Sequence, residues 1–424
     1  MHAPRAAAAG RTASPATARQ INDRLALQLL QSEGQLTASQ LKERTGLSRP
    51  TVADLVDRLT AAGLIAVVGE SGDRRRGPNA RLYGIVADRA HLLGLDLRPG
   101  SVTVAVADLL GRIRAERTVA VDPPGPPPAP APPGAPAPPS PGAALATALA
   151  AVDRTLAEAG ATAPHTLAVG APGLVDPATG RLGGTTPAWH DALIGALRDR
   201  RAGTLLLENE VNLAALAEQR DGAARDRDTF VLLWLGQGTG AAVVLDGTLR
   251  RGASGGAGEI GFLPVPGTGG LPSADGCDGG FHSLAGSAAI CRLAAAHGLP
   301  AVTADPAATA GPGRAGAPPA EDLVRAAPAA GPAGAAFLDA LAARIALGAA
   351  GVCAVLDPGC VVLGGEIGSA GGAPLATRVA GHLARLSPLR TDVRPGTVGG
   401  RAVLLGAVHA ARDAAQDALF PPSA

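Results

Sequence analysis

The stretch LLLENEVNLAALAEQ, residues 205–219, sets two carboxylates (Glu208, Glu210) and two amides (Asn209, Asn212) at the start of what reads as a helix. A carboxylate so placed can serve as a general base towards a hydroxyl group, and the amides can hydrogen-bond a polyhydroxyl ligand. Asn209 equally suits the N-cap of a helix beginning near Val211, where its side-chain oxygen takes up orphan backbone amides. Two further segments offer polar groups to a cleft. In LAVGAPGLVD (167–176), Gly173 and its neighbour Pro172 line an approach, and in GEIG (258–261), Glu259 can either bond a ligand hydroxyl or brace the Gly-rich turn. The candidate ligand contacts are therefore Gly173, Asn209, Glu210 and Glu259.

A metal centre is not expected. In SADGCDGGFHSLAG (273–286) the donors are Asp275, Cys277, Asp278 and His282, and four-coordinate zinc needs three or four ligands at short spacing. A loop of glycine, aspartate and one cysteine is the plainer account. The four cysteines (Cys277, Cys291, Cys353, Cys360) form no CxxC pair and read as small, reduced thiols.

Several elements must position these groups. Residues 92–122 read as alternating strands with turns at 98–101 and 110–112. The strand at 167–176 and a hairpin around GQGTG (236–240) follow, the latter with backbone amides that can cradle an anion. CAVLDPGCVVLGGEIG (353–368) reads as strand, turn, strand. The run at 123–142 is so rich in proline that it predicts an extended insert, and 300–334 predicts a second insertion.

A separate module precedes them. Ile21, Leu25, Ala26 and Leu29 recur at helical spacing until Gly34, while Thr37 and Gln40 fit a capping box for a second helix. Ser48 is placed to cap a third helix with Pro50 in its first turn, and Val52, Leu55, Val56 and Leu59 form its buried stripe. Residues 64–68 and 80–85 read as two strands joined by an Arg-rich tip. This winged helix-turn-helix, residues 19–86 after a disordered arm at 1–18, is suited to DNA. Ser48, Arg49, Thr51 and Arg58 on the third helix would enter the major groove, and Arg74, Arg75 and Arg76 on the wing would meet phosphates or the minor groove.

Charge agrees with that division. Residues 1–85 carry twelve basic side chains against seven acidic ones, so they stand at +5 while the whole chain of 424 residues is +1. A basic module on a mildly acidic body is the pattern of a polyanion-binding domain joined to another function. No apolar run of the length a membrane span needs is apparent, and a cytoplasmic protein is expected.

Four blocks, GLSRPTVADLVDRLTAAGLI (46–65), ENEVNLAALAE (208–218), GQGTGAAVVLDGTLRRGASGGAGEIG (236–261) and DPGCVVLGGEIG (357–368), resemble in that order the ROK family of repressors and sugar kinases. The resemblance runs over essentially the whole chain from about Ile21. It implies an α/β fold: an N-terminal winged helix-turn-helix plus a two-lobed, actin-like ATPase body of ROK sugar-kinase type at 87–424. The small lobe would be 87–208 with a C-terminal helix at 402–416, and the large lobe 209–401.

In ROK kinases the sugar lies between the lobes and an Asn-Asp pair supplies the catalytic base, so Asn209 and Glu210 stand at those positions. The extra methylene of Glu210 moves its carboxylate by more than the roughly 1 Å that can cost a hundredfold in rate. Where the kinases have a Gly-Gly-Thr phosphate loop, this chain has Asp96-Leu97-Arg98-Pro99-Gly100-Ser101, with added bulk and one amide fewer. The family's zinc His after GEIG is replaced by Phe262, and its cysteine cluster by Cys277 alone.

The expectation is a non-enzymatic ROK-type regulator without cofactor, a repressor of carbohydrate genes. It would bind a double-stranded DNA operator as a homodimer or homotetramer and respond to a sugar or sugar phosphate. The rival is a sugar kinase with a fused DNA-binding domain.

Overall fold

Helix α1 (Pro15–Ser32) begins inside the segment expected to be a disordered arm, and Ala26, Leu27 and Leu30 make its buried face. It opens the computed structural model, which describes residues 15–71, 80–121, 141–183, 186–200, 203–273, 276–299 and 319–419. Next come β1 (Leu36–Thr37) and α2 (Ala38–Thr45), whose capping box is formed: Thr37 Oγ1 accepts from Gln40 N and Gln40 Oε1 accepts from Thr37 N. Ser48 caps α3 (Arg49–Ala61), accepting from Thr51 N at 3.3 Å, with Pro50 in the first turn. Val52, Leu55, Val56 and Leu59 are its buried stripe. The hairpin β2 (Ile65–Ser71) and β3 (Ala80–Ile85) completes a three-stranded sheet of order β1-β3-β2. The short β1 was not legible because two residues carry no periodicity.

By contacts the chain divides into two units. One holds Met1–Leu92, Ala107–Arg112 and Arg412–Ala424; the other holds Leu93–Val106 and Ile113–Ala411. The second unit is built on two five-stranded sheets. The first contains β4 (His91–Arg98), β5 (Ser101–Asp108), β6 (Ile113–Ala120), β7 (Thr166–Ala171) and, after the small hairpin β8 (Leu174–Asp176) and β9 (Arg181–Gly183), β10 (Thr204–Asn209). Its order is β10-β7-β4-β5-β6, with β10 and β7 parallel. Helices α4 (Pro141–Glu158) and α5 (Ala188–Asp199) cover it, packing Ala148, Val152, Trp189 and Leu193 onto Leu95, Val104 and Val169.

Helix α6 (Glu210–Arg220) leads into the second sheet. Its strands are β11 (Phe230–Leu235), β12 (Thr239–Leu245), β13 (Thr248–Arg250), β14 (Cys360–Gly364) and β15 (Asp392–Pro395), in the order β13-β12-β11-β14-β15. Between β13 and β15 lie α7 (His282–Ala285), α8 (Ser287–Ala296), α9 (Pro319–Ala326), α10 (Gly331–Leu356) and α11 (Gly365–Leu386). Phe337, Leu341, Ile345 and Ala349 of α10 join Val231, Leu233 and Val361 in one core.

Three expectations are corrected here. Residues 353–356 end α10 instead of forming a strand, and residues 365–368 open α11, because an apolar run buried on all sides gives no period to separate strand from helix. The part of 300–334 from Pro319 onward is helical. The stretch Ala320–Leu356 is apolar enough over its length to cross a membrane, which composition had not suggested, yet half of its most apolar window is buried within the protein.

The last helix, α12 (Ala402–Leu419), runs through the boundary: it belongs to the second unit through Ala411 and to the first from Arg412.

Candidate functional site

Glu210 is the first residue of α6 and faces three charged groups brought from other elements. Asp96 and Arg98 come from the end of β4, and Glu366 from the first turn of α11. Arg98 Nε donates to Asp96 Oδ2 at 3.1 Å, its Nη1 to Glu366 Oε1 at 3.0 Å and its Nη2 to the Gly400 carbonyl at 3.4 Å. Burial works against the Arg98 charge, but Asp96 and Glu366 outweigh it and hold the guanidinium above its ordinary value.

The same crowding acts on Glu210 in the opposite sense. The residue is half-buried, and close packing around its carboxyl, followed by the charges of Asp96 and Glu366, pushes its pKa up to about 8. At neutral pH it is mostly protonated, so it is a hydrogen-bond donor as well as an acceptor. Asp96 is 3% exposed, burial raises its pKa, and its Oδ1 has no hydrogen-bond partner among the described residues. His190 lies beneath the turn, fully buried, with Nε2 at 3.3 Å from the Arg98 carbonyl oxygen; burial lowers its pKa to about 4, so it is neutral.

Arg98 is thus the centre of an ionic array that reaches three elements. Its guanidinium is held between Asp96 and Glu366, and Glu366 Oε2 in turn sits against the GQGTG turn, where a Cβ on Gly236 would come within 2.4 Å of it. Glycine is required there by that close approach. Glu366 escaped the sequence reading, because the Gly-Gly-Glu run after β14 gives no hint that the next helix aims its first turn at β4.

Asn209 proves to be the helix cap. Its Oδ1 accepts from Val211 N at 2.8 Å and Asn212 N at 3.4 Å, and its Nδ2 donates to the Gly173 carbonyl at 2.9 Å. Gly173 has φ +103° with the Gly183 carbonyl 2.8 Å from where a Cβ would stand, so it fixes a turn no other residue could hold. These two residues are brought together, but as scaffold. Glu208, not counted among the expected ligand contacts, is buried beneath them: Oε1 accepts from Asn209 N and Asn212 Nδ2, and Oε2 from Arg251 Nε at 2.6 Å. Glu259 is exposed; its backbone bonds Gly256 and Phe262, its carboxyl has no hydrogen-bond partner among the described residues, and local desolvation raises that carboxyl's pKa.

The described residues do not assemble a zinc site. Between Leu263 and Gly286 the sequence offers Cys277 and His282 as the soft donors, Asp275 lies outside the described residues, and no group of three His, Cys, Asp or Glu among the described residues is arranged to hold a metal.

In the first unit, Ser48 and Arg49 are exposed and Thr51 half-buried at the N-terminus of α3, with Ser48 Oγ and Thr51 Oγ1 2.8 Å apart. Arg58 departs from the expected groove-facing role. Its Nη2 donates to Asp23 Oδ1 at 2.6 Å and its Nη1 to Asp54, so it ties α3 to α1. The hydrogen bond to Asp23 is the main reason its pKa rises. Arg74, Arg75 and Arg76 lie outside the described residues.

Comparisons with known proteins follow this geometry. The ROK family model matches residues 101–414, and the MarR family model matches residues 14–76. A glucokinase of Halalkalibacterium halodurans is 29% identical over 48% of this chain and 62% of its own length. The DNA-binding transcriptional dual regulator NagC of Escherichia coli is 26% identical over 58% of each chain. The chain thus spans about three fifths of the relatives it matches. The crystal structure of a ROK family transcriptional regulator, a homologue of the E. coli MLC protein, superposes with a TM-score of 0.70 at 20% identity, covering 96% of this chain and 99% of that one. That likeness extends the shared fold across both units.

Proposed function

Because the chain belongs to the ROK family, we propose that it is a DNA-binding transcriptional regulator, a repressor of carbohydrate-related genes whose kinase-derived body senses a sugar without phosphorylating it. The observation that carries this reading is the capped α3, with Ser48, Arg49 and Thr51 grouped at its N-terminus on a basic winged module ahead of the ROK body. Recognition helices make their base contacts at that end. Arg58, turned to Asp23 and Asp54, orients α3 instead of touching bases. The wing arginines supply phosphate contacts.

The sensing site is the cleft around Glu210. Asn209 and Gly173 shape it, while Glu210 and Glu259 offer hydrogen bonds to hydroxyls. Arg98 argues against catalysis: a guanidinium fixed between Asp96 and Glu366 stands in the segment where the family's kinases hold phosphate. A coupled assay for ADP release over a hexose panel tests this point, and turnover with any hexose would return the chain to the sugar kinases.

Helix α12 is the route we assign to the signal. Its first part meets α6 through His409, whose Nε2 lies 2.5 Å from Asp221 Oδ2 at the end of the helix that Glu210 begins. Its last turns belong to the DNA-binding unit, where Arg24 Nη2 of α1 donates to Asp417 Oδ1 at 2.5 Å. A ligand that shifts α6 biases α12, and by linkage operator DNA weakens that ligand by the same factor.

The regulator acts on operator DNA in the cytoplasm as a homodimer or homotetramer, since two-fold symmetry suits a pseudo-palindromic site. Selection of binding sites from genomic DNA, followed by mobility shift with and without sugars, tests the whole reading. A defined palindrome released by one sugar supports it; failure to select any sequence removes it.

A further inference from the structure

We propose that the cleft around Glu210 takes a free amino sugar, a hexose carrying an ammonium group, and discriminates against phosphorylated sugars. The inference rests on the sensor reading above and specifies the ligand of the same site.

Charge is the first ground. Asp96 of β4, Glu210 of α6 and Glu366 of α11 converge on one guanidinium, and Arg98 spends its ion pairs on Asp96 and Glu366. Glu210 has no ion pair among the described residues. The other nearby groups add no positive charge: His190 is held neutral by burial, and Arg251 is paired with Glu208. A sugar phosphate would bring one to two further negative charges into a cleft with more carboxylates than cations.

The second ground is an orphaned atom. Asp96 is almost completely buried, yet its Oδ1 accepts no hydrogen bond from any described residue. Buried polar atoms are nearly always satisfied, so this one marks a donor that belongs to the site. A donor that also carries positive charge would suit both this oxygen and the carboxylates around it. An ammonium carries three donors and one positive charge, enough for Asp96 Oδ1 and Glu210 together. The sugar hydroxyls can then use Glu259.

Proton balance gives the inference a signature. Glu210 is held mostly protonated by its neighbours, and an arriving ammonium stabilises its carboxylate. The ligand keeps its own proton, and the proton from Glu210 passes to buffer. A neutral hexose has no charge to drive this release.

The test is titration calorimetry of the full chain at neutral pH with glucosamine, galactosamine and mannosamine, their parent hexoses, and the 6-phosphates of both sets. Each is measured in two buffers of different ionisation enthalpy so that protons are counted. One amino sugar is expected to bind at least about tenfold more tightly than its parent hexose and to release close to one proton. Glu210→Gln is expected to abolish both the proton release and the amino-sugar preference.

Tighter binding of a hexose phosphate, or equal binding of amino and neutral sugars without proton release, overturns the inference and leaves the sensor reading standing. Absence of binding by every saccharide in the panel overturns both.

Discussion

Arg98 and Glu366, 268 positions apart in sequence, form an ion pair of 3.0 Å that joins the end of β4 to the first turn of α11. It links the first sheet to the helix that follows β14. Glu366→Gln is expected to lower stability by about 1–2 kcal/mol, since it leaves a mostly buried guanidinium with one carboxylate fewer. Chemical denaturation read at equal m-values measures it. Lysine at Arg98 should rescue poorly, because one ammonium cannot reproduce the planar fork that reaches Asp96, Glu366 and Gly400.

Glu210 gives the protein a pH dependence of known sign. Its folded-state pKa of about 8 lies above the ordinary value of 4.5, so the folded protein holds that proton more tightly. The associated stability is complete below the ordinary value and is lost as pH rises towards and through 8. Glu210→Gln removes this loss. At pH 8.5 the variant should be more stable than the parent by about 1–2 kcal/mol, allowing for the partial solvent exposure of the site, with the difference shrinking towards pH 5. Thermal melts across that range decide it.

At the N-terminus of α3, two substitutions separate folding from recognition. Ser48→Ala removes the cap on Thr51 N and should cost about 1 kcal/mol of stability together with weaker operator binding. Arg49→Ala, at an exposed position, should leave the melting temperature within about 1 °C while lowering operator affinity roughly tenfold. Melts and mobility shifts on the same samples distinguish the two.

The wing arginines should act through phosphates. Replacing Arg74, Arg75 and Arg76 together by alanine is expected to weaken binding to specific and unrelated DNA alike. The slope of log affinity against log salt should fall by about 2 to 3. An unchanged slope removes the wing from the interface.

Asp23 should matter to DNA without touching it. Asp23→Asn weakens the Arg58 fork that fixes α3 against α1, and is expected to cost about 1 kcal/mol and to reduce operator affinity several-fold. Fluorescence anisotropy with labelled operator, beside a denaturation curve, reads both effects.

The sequence by itself determined whatever depends on neighbours in the chain. The Thr37–Gln40 capping box, the Ser48 cap, the stripe from Val52 to Leu59 and the hairpin around GQGTG all formed as their local patterns required, because caps and periodicities act within a few residues. Asn209 was placed correctly at a helix start, though only the structure shows both ends of its amide occupied. The division of α10, β14 and α11 was not legible, since an apolar segment buried on every side has no polar face to set its period.

Tertiary structure alone decided the site. Arg98 reads in sequence as an obstruction and Glu366 as part of a glycine turn; their pairing, the orphaned Asp96 oxygen and the raised pKa of Glu210 arise because β4, α6 and α11 converge. Charge interactions depend on distance through space and on excluded water, and neither is written in the order of residues.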